Sequence, residues 1–384
     1  MTSLTLALAT ILATAADNAP EATPMQTVYV GTYTGDGSKG IYKFDFNGES
    51  GDLSNLTLAA ESTSPSFLAL APGNKYLYAA NEVDSVSGIK GGTVSAFRVD
   101  PKTGLLTFLN KQSTQGGGPC HLVVDKAGKN VLVANYGGGS VAVLPVGEGG
   151  KLGQASAFVQ HKGSGADPAR QKEPHAHSIN LDPANKFAFV ADLGLDKVLV
   201  YAFDPDKGTL TPHTTPSAST PPASGPRHFT FSTDGHFAYV INELNSTITT
   251  FTYDAKAGTL TPLAPQVSTL NFGHVGKNYP ADIHAHPNGK FLYGSNRGAD
   301  SVAAFALDPK TGLPRLLNQG GAGVKNPRNF GIDLTGKFLL VANQDAGTVV
   351  VFKIDPDHGT LKPTGQSIEV PKPVCLQFVP GAAD

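Results

Sequence analysis

The chain repeats itself about every fifty residues, and that period restricts its fold more than any other feature. Each copy has a Pro-led apolar strand, a D-x-x-G-K turn, a second apolar strand ending V-A-N, and a third strand reading T-V-x-x-F. A D-P-x-T-G-x-L turn and a weaker fourth strand complete it. The clearest copy starts at Pro327 and reads PRNFGIDLTGKFLLVANQDAGTVVVFKIDPDHGTL. Naming the strands A to D, strand A is predicted to begin at Pro65, Pro119, His175, Pro226, Pro280, Pro327 and Pro373. Strand B is predicted to end at Thr32, Asn81, Asn135, Asp192, Asn242, Asn296 and Asn343. The first B strand has no A strand before it, and the last A strand has no B strand after it. An open β solenoid would leave both as raw edges, which invite aggregation. A ring pairs them. The expected fold is therefore all-β: a seven-bladed β-propeller of four-stranded antiparallel blades, closed by pairing of the C-terminal and N-terminal strands. The chain has no tryptophan, so the Trp-Asp signature of one propeller subtype is absent.

Bulk properties exclude some partners. The 384 residues carry a net charge of −2 with no long charged block, which argues against nucleic acid or an anionic membrane as the main partner. Residues 1–16 form an uncharged apolar run in which Ala13-Thr14-Ala15 fits a cleavage site, and they read as a signal peptide. Residues 17–25 read as a linker and 26–384 as the propeller domain. A genuine leader implies a periplasmic or secreted protein; without it the protein is cytoplasmic. Cys120 and Cys375 fall on A strands with a whole blade between them, so both are expected to be free thiols. A closed ring makes a monomer the default.

In a propeller the A strands line the central channel and B runs antiparallel beside A. Every A-start and every B-end then rings one mouth. The residue after the Pro-like position is Ser66, Cys120, His177, Arg227, Ala281, Arg328 or Val374. The next is Phe67, His121, Ser178, His228, Asp282, Asn329 or Cys375. After the B-end come Tyr33, Glu82, Tyr136, Leu193, Glu243, Arg297 and Gln344. Charged groups in such a confined place must be paired or used. A solvated rim of inter-blade ion pairs is the bland alternative.

Two H-x-H pairs, His175/His177 and His284/His286, raise a metal site, since strand alternation puts both members of a pair on one face. No carboxylate cluster completes a ligand set, so neither metal nor cofactor is expected. The glycine runs at 116–118 and 137–139 lie between strands with no helix after them and read as turns, not phosphate loops. Gln160–Glu173, Thr211–Gly225 and Ser268–Tyr279 read as long D-to-A connections on the mouth side.

The phrases G-P-R-H (225–228), N-E-L-N-S (242–246), A-D-I-H-x-x-P-x-G-K (281–290), S-N-R (295–297) and P-R-N-F (327–330) resemble the seven-bladed lactonase family over residues 27–380. That family contains propeller-type 6-phosphogluconolactonases and fungal carboxymuconate-lactonising enzymes. The resemblance implies a lactone-hydrolysing enzyme with His177, Arg227, Glu243 and Arg297 as catalytic residues. The segment P-H-A-H-S lets His175 compete with His177, though the register favours His177. Arg328, His228, Asp282, Tyr33, Tyr136 and Gln344 are the expected substrate-binding residues.

Lactone hydrolysis needs a base for water and a stabilised oxyanion. Glu243 or His177 is the candidate base, and the arginines are the candidate oxyanion or anion clamps. The expected substrate is a small anionic or polyhydroxylated sugar lactone. A lactonising cycloisomerase could use the same groups, and a non-enzymatic binding module could use the same face.

Overall fold

Each repeat folds because its turns are chemically fixed. Between A and B, Asp125 Oδ1 accepts the amides of Lys129 and Asn130, while Gly128 takes φ +67°, where a side chain would be strained. Between C and D, Asp308 Oδ1 accepts the amides of Lys310 and Thr311. The asparagine that ends strand B is a staple. Asn296 donates to Thr269 O and accepts from Thr269 Oγ1 and Asn278 Nδ2, so it ties the B-end to the connection entering its own blade.

The computed structural model describes residues 25–86 and 89–381. It contains seven four-stranded sheets, each ordered A-B-C-D. Numbering blades from Pro65, the A strands are Pro65–Leu70, Pro119–Val124, Ala176–Leu181, Pro226–Phe231, Tyr279–Ala285, Pro327–Ile332 and Pro373–Pro380. The seventh blade takes its other three strands from the opposite end of the chain: Met25–Thr32, Gly40–Asn47 and Leu53–Glu61. Met25–Thr32 runs antiparallel to Pro373–Pro380, with Val28 opposite Phe378 and Val30 opposite Leu376. The predicted ring closure is present. The signal-peptide reading and all of the linker reading except Met25 lie outside the described residues.

The apolar cores lie between blades. One joins Tyr78, Ala80 and Val94 of the first blade to Leu122, Val131 and Val133 of the second. Another joins Tyr29 and Ile41 of the seventh to Leu68, Leu77 and Phe97 of the first. Burying each large side chain contributes about 1.5–3 kcal/mol, so each blade is stabilised mainly by its neighbours. A hydrogen bond repeats this logic. Tyr29, Tyr78, Tyr239 and Tyr293 each sit three residues before a B-end. Their hydroxyls donate to the carbonyls of Gly104, Gly150, Gly312 and Gly359 in the next blade.

Several expected boundaries move. The fifth A strand begins at Tyr279, one residue before Pro280, and the fifth B strand ends at Arg297, one after Asn296. The third A strand begins at Ala176, not His175: Ala176 opposes Asp192 as proline opposes asparagine elsewhere. Most of Thr211–Gly225 is not a connection but the outer strand Thr209–Ser219. Pro212 and Pro216 are tolerated there because an edge strand does not need every N–H. The propeller starts at Met25, one residue early. Both cysteines are free and buried, as expected.

Tyr239→Phe removes one inter-blade hydrogen bond and leaves the Gly312 carbonyl without it. It should cost about 1 kcal/mol in urea unfolding with activity unchanged; an unaltered midpoint would contradict the staple.

Candidate active site

A β-bulge at the second position of each A strand builds the mouth. Pro226 opposes Asn242 and His228 opposes Ile241, which leaves Arg227 without a partner. The same shift falls at Cys120, His177, Arg328 and Val374. Two residues facing one turn consecutive side chains toward the same side. The bulged residue therefore serves the mouth, and the next one serves the channel beneath.

Glu243, at the B-end of the fourth blade, is the centre of charge. Arg170 Nη2 donates to its Oε1 at 2.7 Å. Arg297 Nη2 and Arg227 Nε donate to its Oε2 at 2.7 and 3.1 Å. Burial alone would raise its carboxyl, but Arg297, Arg227 and Arg170 outweigh that and hold it at about 2. Arg227 is 1% exposed and its Nη1 also donates to Ala281 O. Burial, with Arg297 and Arg328 nearby, pushes its guanidinium down to about 9, so it stays charged at neutral pH. On the opposite side, the Arg328 guanidinium lies 5.3 Å from the centre of the Tyr33 ring and 3.6 Å from Glu82. The Tyr33 hydroxyl donates to Glu82 at 2.8 Å.

His177 lies between these groups, buried against Tyr136 and His228. Burial first, then Arg227, His228 and Arg328, hold its pKa well below the usual 6.5. It is a neutral imidazole at pH 7.

The resulting pocket of about 230 Å³ is lined by Tyr33, Glu82, Tyr136, Arg170, His177, Glu243, Arg297 and Arg328. It lies below the usual range for drug-sized ligands, which suits a single sugar ring. Of the expected site residues, His177, Glu243, Arg297, Arg328, Tyr33 and Tyr136 converge there. Arg227 lies beneath the pocket, under Glu243. His228 and Asp282 lie one layer deeper and pair with each other at 2.6 Å. Gln344 stays on the rim beside Asp345.

The members of each H-x-H pair have different hydrogen-bond partners. His175 Nδ1 lies 3.1 Å from Tyr136 O and its ring stacks on Tyr136 at 4.6 Å, while His177 meets the same ring edge-on at 5.2 Å and lies 3.7 Å from the Cys120 sulfur. His284 donates to Asp282, whereas His286 lies past the strand end and donates to Gly336 O.

Sequence reasoning missed Arg170. It sits on the D-to-A connection at 160–173, expected only to wall the pocket. Gln171 fixes that loop: buried, it donates to Leu193 O and Asp196 Oδ1 and accepts the Asp167 amide. The signal was the lone Arg-Gln of this loop, which no repeat position explains.

A seven-bladed ring closed by its two chain ends is the fold that the resemblance to the seven-bladed lactonases implies. The chain belongs to that family: the description "Lactonase, 7-bladed beta-propeller" matches residues 27–378. It is 36% identical to the 6-phosphogluconolactonase of Bacillus subtilis over 74% of this chain and 78% of that protein. It superimposes on the periplasmic gluconolactonase of Pseudomonas aeruginosa with a TM-score of 0.87 at 35% identity, covering 92% of this chain and 99% of that one. A crystal structure from Bacteroides fragilis matches with a TM-score of 0.86 at 39% identity, covering 93% and 98%.

The Glu243 carboxyl, ordinarily near 4.5, titrates near 2 when folded. The stability from its charge is thus complete above pH 4.5 and lost as pH falls toward 2. Glu243→Gln should lower stability at pH 7 by about 3 kcal/mol, because three guanidiniums lose their counter-ion. It should also flatten the loss of stability between pH 4.5 and 2. Urea unfolding across that window measures both, and equal curves for the two proteins would contradict the assignment.

Proposed function

We propose that this protein hydrolyses a sugar lactone in the mouth pocket, with His177 as the base. The observation that carries this reading is the contrast between the two candidate bases. Glu243 is tied to three guanidiniums and held at about 2, so it accepts a proton poorly. His177 is neutral, lines the same pocket, and among the described residues has no side-chain hydrogen-bond partner beyond a Cys120 sulfur at 3.7 Å.

Water attacks the lactone carbonyl carbon as its proton passes to His177. The new oxyanion is held by guanidinium donors of the pocket, Arg297 and Arg328. When the ring C–O bond breaks, His177 returns the proton to the departing oxygen, and the product is the open hydroxy acid. Glu243 orients Arg297 and Arg170, and Arg227 supports Glu243 from below. Arg227 therefore acts through the carboxylate, not by touching substrate. Three of the four arginines are already committed to one carboxylate. That leaves Arg328 as the most lightly paired cation and favours a lactone over a substrate with several carboxylates. Tyr33, Tyr136 and Glu82 supply hydrogen-bonding edges for sugar hydroxyls.

The apolar run at residues 1–16 and the likeness to a periplasmic gluconolactonase support action outside the cytosol, on a lactone without phosphate.

His177→Ala should lower kcat about 10²- to 10⁴-fold, with the far-ultraviolet spectrum unchanged. Arg170→Ala should mainly raise KM. Because protonation inactivates the base and its pKa lies well below 6.5, kcat/KM should stay flat from pH 8 to 6.5 and fall only in more acidic buffer. A limb centred at or above 6.5 would contradict His177 as base. Among gluconolactone, 6-phosphogluconolactone and a carboxymuconate, turnover is expected on the gluconolactones. Turnover on the carboxymuconate alone would overturn the reading.

A further inference from the structure

Beneath the pocket the central channel is closed by a layer that the hydrolytic scheme does not use. It comes from the residues that follow the bulges, among them Phe67, His121, His228, Asp282 and Asn329. Asp282 is 2% exposed. Its Oδ1 accepts from His228 Nδ1 at 2.6 Å and from the Ile283 amide. Its Oδ2 accepts from His284 Nε2 at 2.9 Å, from Asn329 Nδ2, and from the Phe330 amide at 3.4 Å. The Asn329 amide is itself oriented, because its oxygen accepts the Leu376 amide. A carboxylate can only accept, so His228 carries its proton on Nδ1 and leaves Nε2 bare. The His228 ring then packs edge-to-face on His177 at 5.4 Å, on His121 at 5.2 Å and on Phe67 at 5.8 Å.

Five donors from three blades converge on the two Asp282 oxygens, more than the single acceptor oxygen of a neutral amide could serve. A buried carboxylate is expensive unless its charge is compensated or used. The charges around His177 supply the use. On its mouth side it faces Arg227, Arg328, Arg297 and the carboxylates Glu243 and Glu82, with Tyr136 and the Cys120 thiol beside it. Protonating it there is uphill. On its channel side it packs on His228 and, through that ring, meets Asp282. Around His228 itself stand His121, His177, Arg227, Asp282 and His284.

Resting on the lactonase reading, we propose that Asp282 and His228 are a positioning pair for His177. Asp282 locks the tautomer and plane of His228. The locked ring holds the His177 imidazole in the pocket, and the Asp282 charge behind that ring offsets part of the guanidinium field as His177 takes the proton. Neither residue touches substrate. His284, on the other carboxylate oxygen, is favoured in its charged form by Asp282 although burial opposes this, and its charge partly offsets the effect.

The test is Asp282→Asn, which keeps the shape and one acceptor oxygen for His228 but removes the charge and turns an NH2 toward the donors on Oδ2, together with His228→Phe, which keeps the ring but removes its Nδ1–H. With gluconolactone as probe, each single variant should lower kcat about tenfold or more while KM changes less than about threefold. The double variant should be no slower than the slower single one, because both break one unit. Losing a negative charge makes imidazolium formation harder, so in Asp282→Asn the acid limb of kcat/KM should move down by about half a pH unit. The same shift should appear in the His177 resonances of ¹⁵N-histidine-labelled protein titrated without substrate. Slower turnover with an unmoved limb and an unmoved His177 titration would reduce Asp282 to a structural tie and overturn the proposal. So would multiplicative losses in the double variant. If the wild type hydrolyses no lactone, the lactonase reading fails by itself, and the His177 titration still decides whether the pair acts on that imidazole.

Discussion

The antiparallel pairing of Met25–Thr32 with Pro373–Pro380 is the constraint on which the molecule depends. Among the described residues each apolar cluster is shared between two neighbouring blades. Leaving the seventh blade incomplete would expose the flanks of the first and sixth. It would also widen the central channel, so that side chains on opposite blades no longer met. The joint closes the fold and creates the mouth in one step.

Given a closed ring, the bulges decide what enters it. Each A strand spends one unpaired residue to send two successive side chains inward. The upper set includes His177, Arg227 and Arg328, and the lower set includes His228 and Asp282. Charge is layered accordingly. Guanidiniums and two carboxylates fill the mouth, imidazoles stand just beneath, and a buried carboxylate underlies them. The neutrality of His177 follows from this stacking. It is buried beside cations, and that combination keeps a base unprotonated at neutral pH.

The sequence made the blade count, the closure and the ring of mouth positions readable, because repeats, turns and strand ends recur at fixed spacing. His177, Glu243, Arg297 and Arg328 were found because they occupy recurring positions. Arg170 was not, since a connection between blades has no repeat register and its direction depends on anchors such as Gln171. Depth was also hidden. Arg227 and His228 are adjacent in the chain, yet a bulge makes one a support for Glu243 and sends the other into the channel. The outer strand Thr209–Ser219 was obscured by its prolines, which an edge strand tolerates and an inner strand would not.

A crystal structure with a non-hydrolysable δ-lactam analogue of gluconolactone tests the central claim most directly. The lactam should lie in the mouth pocket, with its carbonyl oxygen on Arg297 or Arg328 and its carbonyl carbon facing His177, while Arg227 makes no contact with it. An analogue bound outside the mouth pocket, or in the mouth with His177 turned away from the carbonyl, would contradict the account.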